Sequence, residues 1–318
     1  MGRRPEVPAD RARRVEAAVR AQWKATAGGE RRRRWLAAAA GLAAAVAGIA
    51  VGVRLLRPVP GPAPVAASAA TVEAVSEAAW SRPGGSSAGA IPVRFGDSLA
   101  SGSELATSDH GRLALRLGSG HSVRLDGGTQ VRVLAASTIA LDRGSIYVDS
   151  RGPSGAPAGS LRVRTPGGEI RDVGTQFEAR WIDGSLRIRV REGAVALADG
   201  GRSIDVGAGT EIVRDPGGSV VSRELSPFGD EWRWAAEIAP MLRLEGRSAS
   251  EFLAWAARER GLTLRFESRG LEDAARSIRL NGSIERMTLD QALDSVLPTC
   301  RMAYRIDHGE LIVSTREG

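Results

Sequence analysis

Side chains that could attack, shuttle protons or ligate metal are few in this 318-residue chain, and poorly placed. Gly85-Ser86-Ser87-Ala88-Gly89 has the letters of a nucleophile elbow, in which a strained strand-to-helix turn presents the serine. It lies in a Pro/Gly/Ser-rich stretch without either flanking element, so the match is one of letters only. The three histidines, His110, His121 and His308, each stand beside Gly or Asp in an expected turn. None has a ligand or nucleophile partner at useful spacing, and all three read as solvent-exposed turn residues. Lys24 is the only lysine and follows no glycine-rich loop, which excludes Walker A and lysine Schiff-base chemistry. Cys300 is alone, so neither an intramolecular disulfide nor a cysteine metal site can form, and it reads as a small buried hydrophobe. No catalytic, cofactor-binding or metal-binding set emerges, and an enzyme is not expected.

The net charge of +7 and a pI near 10.8 first suggest nucleic acid. The charge is confined, however: residues 1–57 hold 13 of the 44 basic and 4 of the 37 acidic side chains, leaving the remainder slightly acidic. A nucleic-acid surface would need a basic stripe on a folded module, so no nucleic-acid partner is expected. The basic tail, 1–34, ends in Arg31, Arg32, Arg33 and Arg34, and Trp35 opens a run of 19 uncharged residues reaching Val53. As a helix this run spans roughly 28 Å, close to the hydrocarbon thickness of a bilayer. Leu55 and Leu56 extend it to 35–56 if Arg54 snorkels. Eleven basic residues precede Trp35, so the positive-inside rule places the tail in the cytoplasm and everything after 57 outside. The long basic region and long apolar run favour an uncleaved anchor in the inner membrane over a signal peptide cut near Ala67-Ser68-Ala69. Trp35 and the four arginines would mark the cytoplasmic interface.

The elements beyond the anchor fall into three stretches. Residues 57–89, rich in Pro, Ala, Gly and Ser, read as a linker. Across 90–220, apolar residues alternate in short runs separated by turn signals, as in Leu113/Leu115/Leu117, Ile146/Val148 and Leu186/Ile188/Val190. The pattern predicts an all-β body, either a sandwich or a solenoid-like stack, with one wet face on which Arg187, Arg189 and Arg191 are solvated. From 235 to 318 the pattern predicts a small βαββαββ domain of α+β class. Capping boxes at Ser248/Glu251 and Thr288/Gln291 open its helices, a strand is expected at Ile278–Leu280, and a hairpin turns at Asp307-His308-Gly309. Trp255 and Phe266 could anchor a partner there, although both fit core packing.

The stretch Thr165–Trp181, TPGGEIRDVGTQFEARW, interrupts this alternation. Gly167 and Gly168 suit a tight turn, Gly174 breaks the run again, and alternation resumes only from Thr175. LRVRTPGGEIRDVGTQFEAR resembles the strand, Thr-x-x-Gly turn and Gly-Thr-x-Phe element of the FecR family of inner-membrane signalling proteins. VREGAVAL, Val190–Leu197, is similar to that family's Val-x-Glu-Gly-x-Val hairpin, and RLALRLGSGHSVRLDGGTQV to its earlier repeat. The C-terminal stretch resembles the short N-terminal domain of secretins and TonB-dependent receptors, a protein-docking module. On this resemblance Thr165, Gly168, Gly174, Thr175, Phe177, Glu192 and Gly193 are structural motif residues, with Gly174 bending the backbone where a strand leaves one layer.

The resemblance implies a single-pass transducer with its C-terminal domains in the periplasm. It would bind a TonB-dependent receptor or other envelope protein outside and an extracytoplasmic-function sigma factor inside. No full anti-sigma module is visible in 34 residues. Val15, Val19 and Trp23, at helical spacing, could grip a cytoplasmic partner, or the tail could lie on anionic lipid. The other reading is an envelope assembly protein that uses the same docking domains and carries no signal.

Overall fold

Period-two alternation with a turn every few residues produces a β body of 17 strands in this computed structural model. It describes residues 68–84, 89–151, 159–172, 174–285 and 287–316, together with Ala17. The chain divides into two units, Met1–Val65 and Ala66–Gly318. The tail 1–34, with Val15, Val19, Trp23 and Arg31 to Arg34, the expected anchor 35–56 with Trp35, and the first part of the linker lie outside the described residues. Among the described residues no helix is long and apolar enough to cross a membrane.

The strands are β1 (Ala70–Ser76), β2 (Ala79–Arg82), β3 (Ile91–Pro92), β4 (Ser98–Leu99), β5 (Glu104–Thr107), β6 (Arg112–Leu117), β7 (Ser122–Leu125), β8 (Gln130–Ala135) and β9 (Thr138–Asp149). They continue as β10 (Arg162–Thr165), β11 (Gly168–Asp172), β12 (Gln176–Ile182), β13 (Ser185–Glu192), β14 (Ala194–Asp199), β15 (Arg202–Gly207), β16 (Thr210–Arg214) and β17 (Val220–Glu224). Hairpins alternate between two layers. One layer runs β4-β1-β6-β7-β9-β12-β13-β16-β17, wholly antiparallel. The other runs β3-β2-β5-β8-β9-β10-β11-β14-β15, with β9 and β10 parallel.

Strand β9 belongs to both layers. Thr138–Arg143 pairs with β8, and Gly144–Asp149 with β12. The bend between them needs glycine, because Gly144 has φ +94° and a Cβ there would come within 2.4 Å of Thr129 Oγ1. Thr129 fills that space and accepts the Ser145 amide at 3.0 Å. The inward faces of the two layers make one core, with Leu113, Val123, Ile146 and Phe177 from the first and Val133, Leu141, Val163 and Leu197 from the second. Each fully buried side chain of this kind stabilises by about 1.5–3 kcal/mol. The expected β body is therefore a sandwich.

One boundary moves. The β body begins near Ala69 rather than at 90, because Ala69, Ala70, Val72 and Ala79 are buried in its core. Small residues that suit a linker by composition here pack beneath β6 and β5. In the C-terminal part, α1 (Arg233–Glu237) precedes α2 (Ala249–Arg260), β18 (Thr263–Phe266), α3 (Arg269–Ser277), α4 (Leu289–Thr299), β19 (Met302–Asp307) and β20 (Glu310–Thr315). Its sheet has three strands, ordered β18-β20-β19. The expected βαββαββ order becomes α-β-α-α-β-β from α2 onward. The strand expected at Ile278–Leu280 is instead the exit of α3, which Ser268 caps by accepting the Leu271 amide. Leu, Glu, Ala and Arg in that stretch are good helix formers, and only a bridge between Ser248 and Arg279 is left of the missing strands. Both expected capping boxes are formed.

Candidate functional site

The family-motif residues sit where the chain changes layers. Thr165 Oγ1 accepts the Gly167 amide at 3.2 Å and donates to the Gly168 carbonyl at 2.9 Å, closing the β10–β11 hairpin. From β11 in the second layer the chain passes through Gly174, at φ +80°, into β12 in the first. Thr175 and Phe177 then enter the interior fully buried. The Thr175 amide donates to Asp172 Oδ1 at 3.0 Å, and its hydroxyl donates to the same oxygen. Gly193, also at φ +80°, makes the return crossing from β13 to β14, and a Cβ on it would come within 2.6 Å of Thr175 Cγ2. The chain thus changes layers at Gly174 and returns at Gly193.

Asp172 also accepts Ser150 Oγ and lies 3.4 Å from His121 Nε2. His121 is fully buried, with Nδ1 2.8 Å from Ser119 Oγ, and so is not the exposed turn residue expected of it. The layer crossing, not the local turn, closes over its ring. His110 and His308 are exposed as expected. Among the described residues no group of three or more His, Cys, Asp or Glu side chains could hold a metal ion.

The unusual chemistry is on the outer face of the first layer. Direct register lines up Arg124, Tyr147, Glu178, Arg189, Glu211 and Arg223 on six neighbouring strands. Arg189 bridges Glu178 at 3.6 Å and Glu211 at 2.5 Å, and Arg223 meets Glu211 at 2.5 Å. Burial works to raise the Glu211 pKa, but Arg223 and Arg189 override it and hold the carboxyl at about 2.

The arginines expected on a solvated face are not free. Arg187 reaches Glu178 at 2.8 Å, Arg189 is 8% exposed and Arg191 6%. The reason is the C-terminal region, which covers this face. Trp232 is buried against Tyr147 with ring centroids 6.0 Å apart, and Trp234 Nε1 donates to Glu178 at 3.2 Å.

At the centre, Arg124 forms a bidentate pair with Glu259 of α2, at 2.8 and 2.9 Å. It also donates to the Ala235 carbonyl at 2.8 Å and lies 5.0 Å over the Tyr147 ring. Arg191 donates to the carbonyls of Pro227, at 2.5 Å, and Glu259, at 3.0 Å. Arg258, the residue before Glu259 on α2, takes Asp149 at 2.5 Å and also pairs with Glu192. Burial would lower the Arg124 pKa, yet the Glu259 carboxylate raises it overall. Burial pushes Tyr147 up to about 12 against the pull of Arg191. Burial also opposes ionisation of Asp149, and Arg258 reverses the sign.

The two large apolar cores, of the sandwich and of the C-terminal domain, remain separate. A third, separate small cluster holds Tyr147, Leu225, Trp232 and Ala235, with Trp234 packed against it. Such a seat is held by directional charged contacts more than by a common core. Trp255 and Phe266 pack against the domain's own core and are not in this seat. Glu259 carried the one sequence signal, being a carboxylate in line with Phe252 and Ala256 on the packing face of its helix.

Residues 103–196, which carry the layer crossings and most of the charged row, match the family model described as FecR protein. This segment is a FecR domain. It supplies Arg124, Tyr147, Glu178, Arg189 and Arg191, while Glu211, Arg223 and the C-terminal partners lie beyond the matched span. Two crystal structures of a candidate anti-sigma factor from Parabacteroides distasonis are also similar, each at 14% identity and TM-score 0.36, covering 67% of this chain and 98% of that one. No curated protein compared with the chain matches it.

Proposed function

We propose that the chain is a FecR-like single-pass transducer of the inner membrane, in which a protein-binding event at the periplasmic C-terminal domain is relayed to a sigma-factor-type partner in the cytoplasm. The observation that carries this reading is the FecR domain at 103–196 with the C-terminal α+β domain seated on its charged outer face. A seat made of paired charges over a small apolar cluster has two well-defined states, docked and undocked, and a ligand that prefers one of them shifts the balance. The run Trp35–Val53 would carry the signal inward, and Val15, Val19 and Trp23 would contact the cytoplasmic partner. No cofactor, metal or enzymatic step is part of this reading.

The test pairs a reporter-fusion topology map with a pull-down of a neighbouring sigma factor by residues 1–34. The expected result is an outward C-terminus and specific capture. Deletion of the tail without transcriptional effect would instead favour an envelope assembly protein with no signalling role.

A further inference from the structure

We propose that β17 is a dimerisation edge, on which a second copy of this chain lays its own β17 antiparallel, in a register centred on Ser222. Every residue involved belongs to the β body, so neither the anchor nor the tail is needed. Strand β17 ends the first layer, and β16 is its one partner among the described strands. All five of its residues are exposed, Val220 at 40% and Val221 at 68%. Of the other strands that end a layer, β3 and β4 have two residues each, and β15 exposes no large apolar side chain. An unpaired edge with exposed β-branched side chains is a template for another strand. Strand β17 carries no proline, lysine or bulge to guard it, and its arginine is held by Glu211.

The hydrogen bonds at the two ends of the β16–β17 pair show which backbone groups are free. The Leu225 amide donates to the Gly209 carbonyl at 2.8 Å, and the Asp215 amide to the Ser219 carbonyl at 3.0 Å. Bonded and non-bonded pairs alternate along an antiparallel ladder. Arg223 and Val221, opposite Glu211 and Val213, therefore bond to β16. The amides and carbonyls of Val220, Ser222 and Glu224 point the other way, to the open edge.

The charges on this strand select a second copy in one register. Centring the pairing on Ser222 sets Ser222 opposite the copy's Ser222 and Val220 opposite the copy's Glu224. All three outward residues of both strands then bond, which makes about six backbone hydrogen bonds. Val221 faces the copy's Arg223, whose aliphatic stem covers it, and no like charges stand opposite. Sliding the centre to Arg223 sets arginine against arginine, and to Glu224 carboxylate against carboxylate, both unfavourable. Sliding it to Val221 or Val220 runs Glu224 past the end of the copy's strand. The contact is small, so the dimer should be weak and concentration-dependent.

The test uses the full-length chain in detergent, in a Cys300→Ala background, with single cysteines joined by mild oxidation. S222C is expected to form disulfide-linked dimers about tenfold faster than the exposed control H308C, because opposed residues lie within disulfide reach. V220C mixed with E224C should cross-link, whereas V220C alone should not, since the register holds the two copies of residue 220 roughly 13 Å apart along the strand. Val221→Lys sets a lysine opposite the copy's Arg223 and should slow S222C cross-linking about fivefold or more. The thermal midpoint should not shift, because Val221 is exposed. S222C reacting no faster than H308C, or V220C alone matching the mixture with E224C, overturns the proposal. So does hydrogen exchange at the Val220, Ser222 and Glu224 amides that is slow at every protein concentration, since another segment must then cover the edge.

Discussion

The two outer faces of the sandwich carry the same kind of side chains and differ in what lies over them. On the second layer, Arg132 meets Asp142 at 2.8 Å and Arg171 meets Glu169 at 2.9 Å, with both arginine side chains about half exposed or more. On the first layer, Arg124, Glu178, Arg189 and Glu211 alternate in the same way under Trp232, Trp234 and α2. Exposed pairs gain little because water screens them. Covered pairs have lost their hydration, so removing one partner strands the other. Alternation of arginine and carboxylate is thus neutral decoration on one face and an addressable seat on the other.

The comparison would break most clearly at Arg124. Arg124→Ala leaves the Glu259 carboxylate buried without its partner and should cost about 3–5 kcal/mol in urea denaturation, or split one transition into two. Arg124→Met combined with Glu259→Leu should recover most of that loss, because neither charge is then stranded. A loss no larger than that of an exposed pair would show that the covered row is no different from the open one.

Acid gives an intermediate effect. The Glu211 carboxyl is depressed from its ordinary 4.5 to about 2, so its contribution is complete above the unfolded value and disappears as pH falls towards 2. With screening at the exposed Arg223 partner, the loss between pH 5 and 2 should be about 1–2 kcal/mol. Glu211→Gln should flatten that part of the stability profile. Glu169 is also lowered, by the exposed Arg171 first, and Glu169→Gln should leave the profile nearly unchanged.

The smallest effect is expected on the open face. Arg132→Ala should change stability by no more than about 0.5–1 kcal/mol, and by less in high salt. Arg124→Ala should keep its penalty at the same ionic strength. Thermal unfolding across a salt series reads both.

Much of the architecture was legible because short-range physics dictates it. Period-two alternation gave the strands, and paired Ser248/Glu251 and Thr288/Gln291 the starts of two helices. What escaped was long-range. Ala69 and Ala70 read as linker until β6 is seen to pair with this stretch, and Ile278–Leu280 read as a strand until the helix that Ser268 caps is seen to end there. The arginine ladder looked solvated because nothing local distinguishes an open face from one covered by residues 36 to 135 positions later. His121 was misjudged for the same reason, since Asp172 arrives from a different hairpin.

Strand β9 deserves a mechanical reading. Twelve residues of continuous backbone are hydrogen-bonded into both sheets, so the layers cannot slide past one another without tearing that strand from four neighbours. Tyr147, near the end of that strand, packs against Trp232, so the seat of the C-terminal domain rests on the element that locks the two layers together.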